Sequence, residues 1–443
     1  MPVSAARAAA FDILLRVERE SSFASELLHS ATLDRLSTVD HALVMELVMG
    51  VLRWRSSLDD EIALASAQPL ARLDLEILIT LRLALYQFRH LDRIPPRAAL
   101  HESVELVKRS RKRSAAPFVN AVLRKLASAN PIQTRSLNSP EDLAHAFAHP
   151  LWLVERWVHE YGFATAHRIC EHDQTIPQTA IRLRTSTAAG QLAQASIELA
   201  PGKVLATARL VQMGDITKTA LFRSREIVVQ DEASQLVASL VGHGSDILDC
   251  CAAPGGKTLA IADRNPGSTI LAVEFHPHRA RLLRKLLSPQ SAGRIGVIAA
   301  DAGALPLSRQ FDRVLTDVPC SGTGTLARNP EIKWRLGPHD LLELARRQLT
   351  ILRSAMAQVA PGGRLIYSTC SLQRDENQDV VEKALGEDEN FRLGDCRAEL
   401  DLLKASGELS WPEPVTLTHG PYLRTLPGVH PCDGFFAAVL EKT

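Results

Sequence analysis

The chain has 443 residues, 46% of them hydrophobic, with 51 Lys and Arg against 50 Asp and Glu and a formal net charge of +1. That length exceeds one ordinary compact core, so two or three domains are expected; the balanced charge excludes a whole-molecule basic field for nucleic acid but leaves local clusters open. No window reaches the ~18 apolar residues of a membrane span, charge interrupts MPVSAARAAAFDILLRVERE too early for a signal peptide, and seven scattered Cys lack disulfide or zinc spacing.

These exclusions lead us to expect a cytoplasmic protein with free thiols, no membrane attachment and no metal. The first third reads as helix. DHALVMELVMGVLRW puts Leu43, Val44, Leu47, Val48, Val51 and Leu52 on one stripe. LDLEILITLRLALYQF is apolar nearly all round, as the centre of a helical bundle requires. Helices are predicted at Arg97 to Lys108 and at FVNAVLRKL, with Phe118, Val119, Val122, Leu123 and Leu126 on one face. Between them KRSRKRS gathers Lys108, Arg109, Arg111, Lys112 and Arg113, readable either as cations offsetting a helix C-terminus or as RNA phosphate contacts. Polar, proline-punctuated SANPIQTRSLNSPED, Ser128 to Asp142, is the expected linker.

A shorter region follows. It opens with the aromatic helix HPLWLVERWVHEYG and continues through TAIRLR and KVLATARLVQ, which read as strands, so a small α/β unit is expected. From about Ser224 the pattern becomes strand, loop, helix: SDILD, STILAVE, RIGVIAA, FDRVLTD and GRLIYST. Strands without strict alternation, separated by helices, indicate a doubly wound α/β domain with a parallel sheet and with ligands beyond the carboxyl ends of its strands.

Those strand ends carry the unusual residues. DCCAAPGGKT, Asp249 to Thr258, ends like a phosphate loop, but Cys251 stands where GxxxxGK[ST] needs glycine, and GxGxxG fails at Ala252, Ala253 and Pro254. The tight turn at Gly255 and Gly256 still lets a ligand approach the backbone. Glu274 ends the second strand, where a carboxylate meets ribose hydroxyls, and Asp301 follows the third, placed for an adenine edge. One acid after each of three successive strands suits S-adenosylmethionine. Any one of them alone could merely cap the next helix.

DVPCSGTGT brings Asp317 and Cys320 to the same end of the sheet, and YSTCS brings Cys370. Singly, a free cysteine is usually a buried small hydrophobe; two at the ligand end suit a harder task. C5 of cytosine is too weak a nucleophile to take a methyl group unaided, and addition of a thiolate to C6 makes it enamine-like. Asp317 sharing a proton with N3 would stabilise the developing charge, and a helix N-terminus and Lys257 are candidate activators of the thiol.

At these residues the sequence resembles the RNA cytosine-C5 methyltransferases of the Sun, Fmu or NOL1/NOP2 family, through CAAPGGKT, DVPCSGTGT followed by NPEIKW, YSTCS followed by EN, and HPCDGFFAAVL. FDILLRVERESSFASELL and FVNAVLRKL look like a NusB-type helical RNA-binding domain, and HPLWLVERW like the start of the family's middle domain. The resemblance implies three domains: 1–130, NusB-like and all-α; 145–223, small α/β of ferredoxin-like or RRM-like kind; and 224–443, Rossmann-like. It further implies a cofactor site of Cys251, Ala252, Ala253, Pro254, Gly255, Gly256, Lys257, Glu274, Asp301 and Asp317, with catalysis by Cys370 as nucleophile, Cys320 in product release, Asp317 and Lys257. The implied substrate is 16S rRNA, unassembled or early in small-subunit assembly, met by a monomer. The rival readings are the same chemistry on tRNA or large-subunit rRNA, and a non-catalytic RNA-binding or antitermination factor. DVPC departs from the usual DAPC at Val318, and Glu274 replaces a common Asp. Cys250, Cys170, Cys396 and Cys432 read as structural. Lys333 and Trp334 read either as RNA contacts or as a salt bridge and a core aromatic.

Overall fold

A computed structural model describes residues 3–20, 22–33, 35–130, 137–287 and 294–443. Part of the expected linker, 131–136, lies outside the described residues. The chain forms two compact units, Met1–Ile176 with Leu326–Arg335, and Pro177–Thr325 with Leu336–Thr443.

The first unit is helical. Its centre is the helix Leu75–His90, where Ile77 and every residue from Ile79 to Gln87 is buried, as expected of a segment apolar on all sides. Arg82 is tolerated within it because Asp59 accepts from its Nε and Nη2, each at 2.7 Å. Around it pack Ala5–Glu20, Thr38–Arg53, Arg55–Ser66, Pro96–Arg109 and Ala116–Ser128. Ser37 starts the second of these as N-cap, accepting from the Asp40 N–H at 3.1 Å. At KRSRKRS the helix ends, and three of the five cations are paired: Lys108 with Glu105 at 2.7 Å, Arg109 with Asp12 at 3.1 Å and Lys112 with Asp74 at 2.8 Å. The helices Leu151–Tyr161 and Phe163–Asp173 also belong to this unit.

The last piece of the unit is distant in sequence. Leu326–Arg335 carries its side chains onto helix ends: Lys333 Nζ donates to the carbonyls of Arg53 (3.0 Å) and Ala148 (2.9 Å), and Trp334 Nε1 to that of Leu52 (2.6 Å). Arg335 Nη2 donates to the carbonyls of Val17 (2.8 Å) and Ser22 (2.6 Å), and the Ala24 N–H to Glu331 (2.8 Å). Helix C-termini leave carbonyls without intrahelical donors, and this segment supplies donors for them.

In the second unit the strands β1 (Ala180–Leu183), β2 (Glu198–Pro201), β3 (Ala208–Met213) and β4 (Ile227–Val229) form an antiparallel sheet in the order β2-β3-β1-β4. Ile181, Leu192, Ile197, Leu221 and Ile227 make its own small core, in keeping with the α/β unit read from TAIRLR and KVLATARLVQ. Then come β5 (Asp246–Asp249), β6 (Thr269–Glu274), β7 (Ile295–Ala299), β8 (Phe311–Asp317) and β9 (Val359–Thr369), parallel in the order β7-β6-β5-β8-β9. The order reverses between β5 and β8, the switch point where such sheets open a crevice.

The sheet is not wholly parallel, as the sequence had suggested. Beyond β9, β10 (Phe391–Leu393), β11 (Thr418–His419), β12 (Tyr422–Thr425) and β13 (Phe435–Lys442) complete nine strands among the described residues, with β13 antiparallel to β9. The run FFAAVL is continuously apolar because both faces of β13 are covered, with Phe435 to Leu440 all buried. The Phe436 and Thr369 partnership brings the start of β13 to the ligand end of the sheet.

Candidate active site

Asp249 ends β5 and is buried; Thr258 Oγ1 donates to its Oδ2 at 2.7 Å, while Oδ1 has no hydrogen-bond partner. Burial raises its pKa to about 6. The loop from Cys251 then turns through Gly255 at φ +111°, a conformation that L side chains rarely adopt. A Cβ there would stand 2.5 Å from Leu283 Cδ1, so the helix Pro277–Leu286 packs directly on the glycine. The helix Gly256–Arg264 follows at once.

The loop walls a cavity of about 190 Å³ with Cys251, Ala252, Ala253, Pro254, Gly256 and Lys257, and Asp249 and Asp317 close it on the sheet side. Val229, the last residue of β4, with Gln230, Asp231 and Ser234 after it, forms a further wall. Sequence reasoning missed this wall because β4 and the residues after it carry no motif. Three carboxylates, Asp231, Asp249 and Asp317, face one ammonium, Lys257, and Gln230 Oε1 is buried without a partner. These residues fit a ligand that brings positive charge and hydrogen-bond donors, as S-adenosylmethionine does with its sulfonium and α-ammonium groups. Glu274 and Asp301 stand at the ends of β6 and β7, outside the lining of this cavity. Each uses one carboxylate oxygen locally, Glu274 Oε1 accepting from the His276 N–H at 2.9 Å and Asp301 Oδ1 from the Gly303 N–H at 2.8 Å.

The ends of β8 and β9 bring the remaining residues together. Asp317 Oδ2 accepts from Lys257 Nζ at 2.7 Å and Oδ1 from Ser368 Oγ at 2.7 Å. Lys257 also lies 4.8 Å from the centroid of the Phe435 ring, the first residue of β13. Its ammonium is thus engaged by Asp317, not by a thiolate. Cys320 and Cys370 are both half-buried, with sulfurs 3.4 Å apart. The hydrogen bond with Cys370 and burial hold the Cys320 thiol well above its usual pKa, and either sulfur can be the donor of the contact.

Two further groups fix the loops that carry these sulfurs. Glu376, 0% exposed, accepts from the Ser321 N–H (2.8 Å), Ser371 Oγ (2.5 Å) and Gln348 Nε2 (2.8 Å), which links the residue after Cys320 to the residue after Cys370. The acid belongs to the EN pair of the sequence motif, but its function is visible only once the two loops meet. The second group is a backbone contact: Gly324 N–H donates to the Cys370 carbonyl and Gly434 N–H to the Gly324 carbonyl, both at 2.8 Å. A Cβ on Gly324 would stand 2.2 Å from Gly434 O.

The other cysteines lie apart from this contact. Cys250, Cys396 and Cys432 are buried in the packing of the second unit and Cys170 in the first, with burial raising each thiol pKa. Lys333 is 1% exposed and bonded to carbonyls, so it is neither a surface cation nor half of a salt bridge.

A doubly wound sheet whose switch point opens onto a glycine loop, with paired thiols following β8 and β9 at the same end, is the arrangement of an S-adenosylmethionine-dependent methyltransferase. Residues 240–441 match the family model described as 16S rRNA methyltransferase RsmB/F, and residues 4–128 match the NusB family. A probable ribosomal RNA small subunit methyltransferase B of Bacillus subtilis is 34% identical over 462 aligned positions, 100% of both chains. The ribosomal RNA small subunit methyltransferase B of Salmonella heidelberg is 32% identical over 92% of each chain. The crystal structure of PH0851 agrees in fold, with a TM-score of 0.82 at 23% identity over 99% of this chain and 98% of that one. The chain belongs to the RsmB/F family of 16S rRNA methyltransferases, and S-adenosylmethionine is its methyl donor.

Proposed function

We propose that this protein methylates C5 of a specific cytosine in 16S rRNA through a covalent bond between Cys370 Sγ and C6 of the base. The observation that carries this reading is the 3.4 Å contact of the Cys320 and Cys370 sulfurs, beside the Asp317 carboxylate. S-adenosylmethionine supplies an electrophilic sulfonium methyl, held by Cys251 to Lys257 with Glu274, Asp301 and Asp317.

The Cys370 thiolate adds to C6, and as charge develops on the ring a proton passes to N3 through Asp317 from Lys257 Nζ, its donor at 2.7 Å, and returns when the C6–S bond breaks. C5 takes the methyl group, its proton passes to a base, and the C6–S bond breaks with its electron pair returning to Cys370. Cys320, holding its proton, donates to the departing sulfur and so assists release. The target cytosine leaves its helical stack to reach the thiolate. The 1–130 and 145–223 domains grip the surrounding RNA by backbone and shape, and 224–443 modifies it. We further propose a monomer, acting in the cytoplasm on 16S rRNA that is unassembled or early in assembly.

Labelled S-adenosylmethionine and unmodified 16S rRNA test the activity; absence of transfer to that RNA, alone or in early particles, overturns it. Cys370→Ala is expected to lose both the RNA adduct and methyl transfer, the latter by at least about 10³-fold. Cys320→Ala is expected to let the adduct form and persist as a slow-migrating band. An adduct in the Cys370 variant and none in the Cys320 variant reverses the two roles.

A further inference from the structure

Gln230 follows β4, is 6% exposed and lines the cavity beside the glycine loop. Its backbone is used: the N–H donates to the Ala180 carbonyl at 3.1 Å and its own carbonyl accepts from Gln235 Nε2 at 2.9 Å. Its side-chain Nε2 donates to Ser234 Oγ at 3.2 Å, which leaves the carboxamide oxygen buried and unpartnered. A buried acceptor without a donor destabilises the fold, and such groups are rare in native proteins unless something outside the chain completes them. Gly256 of the loop passes close by, its missing Cβ a site 3.6 Å from the Gln230 carboxamide.

The chemistry of the missing partner follows from the surroundings. An acceptor needs a donor, and Asp231, Asp249 and Asp317 on the same walls favour a cation as the group that reaches Gln230. Glu274 and Asp301, the acids suited to ribose and adenine, lie outside this lining, so the cavity takes the other end of the cofactor. We propose that Gln230 accepts a hydrogen bond from the α-ammonium group of S-adenosylmethionine and selects ligands that carry the amino-acid end. The inference rests on the Cys251 to Lys257 loop holding that cofactor.

Calorimetric titration of the full-length protein with S-adenosylmethionine, S-adenosylhomocysteine and 5′-methylthioadenosine separates the possibilities, because the last lacks the amino-acid end. Gln230→Leu is expected to weaken the first two by roughly tenfold or more and the third by less than about twofold. The ligand-free melting temperature should not fall, since the substitution removes an unsatisfied acceptor. Gln230→Glu, which retains an acceptor, should bind the first two within about threefold of wild type or more tightly. Equal weakening of all three ligands by Gln230→Leu, or no weakening of any, overturns the proposal, as does a Gln230→Glu variant that loses S-adenosylmethionine more than about tenfold. If Gln230→Leu does not fold, the Glu variant alone decides. A wild-type protein that binds none of the three refutes the cofactor reading instead.

Discussion

Lys333 holds an ammonium group where almost no water reaches it, between two main-chain carbonyls. Burial lowers its pKa to about 7, whereas an unfolded chain keeps a lysine near ~10.4. Above pH 7 the folded protein has released a proton that the unfolded chain still binds, so this site adds stability as pH rises toward ~10.4. The slope cannot exceed about 1.4 kcal/mol per pH unit. Lys333→Met abolishes that dependence. Denaturant unfolding at pH 7, 8 and 9 should therefore show the wild-type stability, relative to the variant, increasing across the series; a constant difference disproves the assignment. Sequence alone left Lys333 open between an RNA contact and a salt bridge; the structure buries it against two carbonyls. Its partners are carbonyls, which every residue carries, so no pattern of side chains could have pointed to them.

At the scale of elements, the two cysteine loops are held by the strand that arrives last. β13 runs antiparallel to β9, and its approach sets Gly434 against Gly324 and Phe435 against Lys257. Gly324→Ala drives a methyl group into the Gly434 carbonyl, which is backbone and cannot swing aside. A loss of about 1–3 kcal/mol in unfolding free energy is expected, together with a larger fall in methyl transfer than in S-adenosylmethionine affinity. Full activity in this variant would show that the glycine contact does not position Cys370. Much of this architecture was legible beforehand. The five parallel strands, the glycine loop, Asp317 and both cysteines follow from apolar runs that each end in a polar or reactive residue, a local signal. The antiparallel β13, the Glu376 bridge and the Gln230 wall were not legible, because each depends on which distant segments become neighbours. Gln230 in particular sits on no motif that its neighbours in sequence would mark.

For the whole molecule, the helical unit is discontinuous: Leu326–Arg335 belongs to it although residues 177–325 come between. A fragment ending at residue 176 therefore removes the donors that Leu326–Arg335 gives to the carbonyls of Leu52, Val17 and Ala148, and leaves Arg53 only its bond from Gln174. Such a fragment should melt below the same fragment mixed with a synthetic peptide of residues 326–335, and the peptide should bind it with measurable heat. A peptide carrying Lys333→Met and Trp334→Ala should rescue less. No difference between bare and peptide-bound fragments would mean that the segment is a passenger. The same discontinuity imposes an order in time. During synthesis the N-terminal helices are made first, yet their last structural piece waits until residue 335 is made, roughly 8–32 s after residue 176 at about 5–20 residues per second. By then Asp317 and Cys320 have already been synthesised. The part that begins first is thus completed only after the first catalytic loop exists, and a ribosome stalled between residues 176 and 326 holds a helical unit still open at its seam.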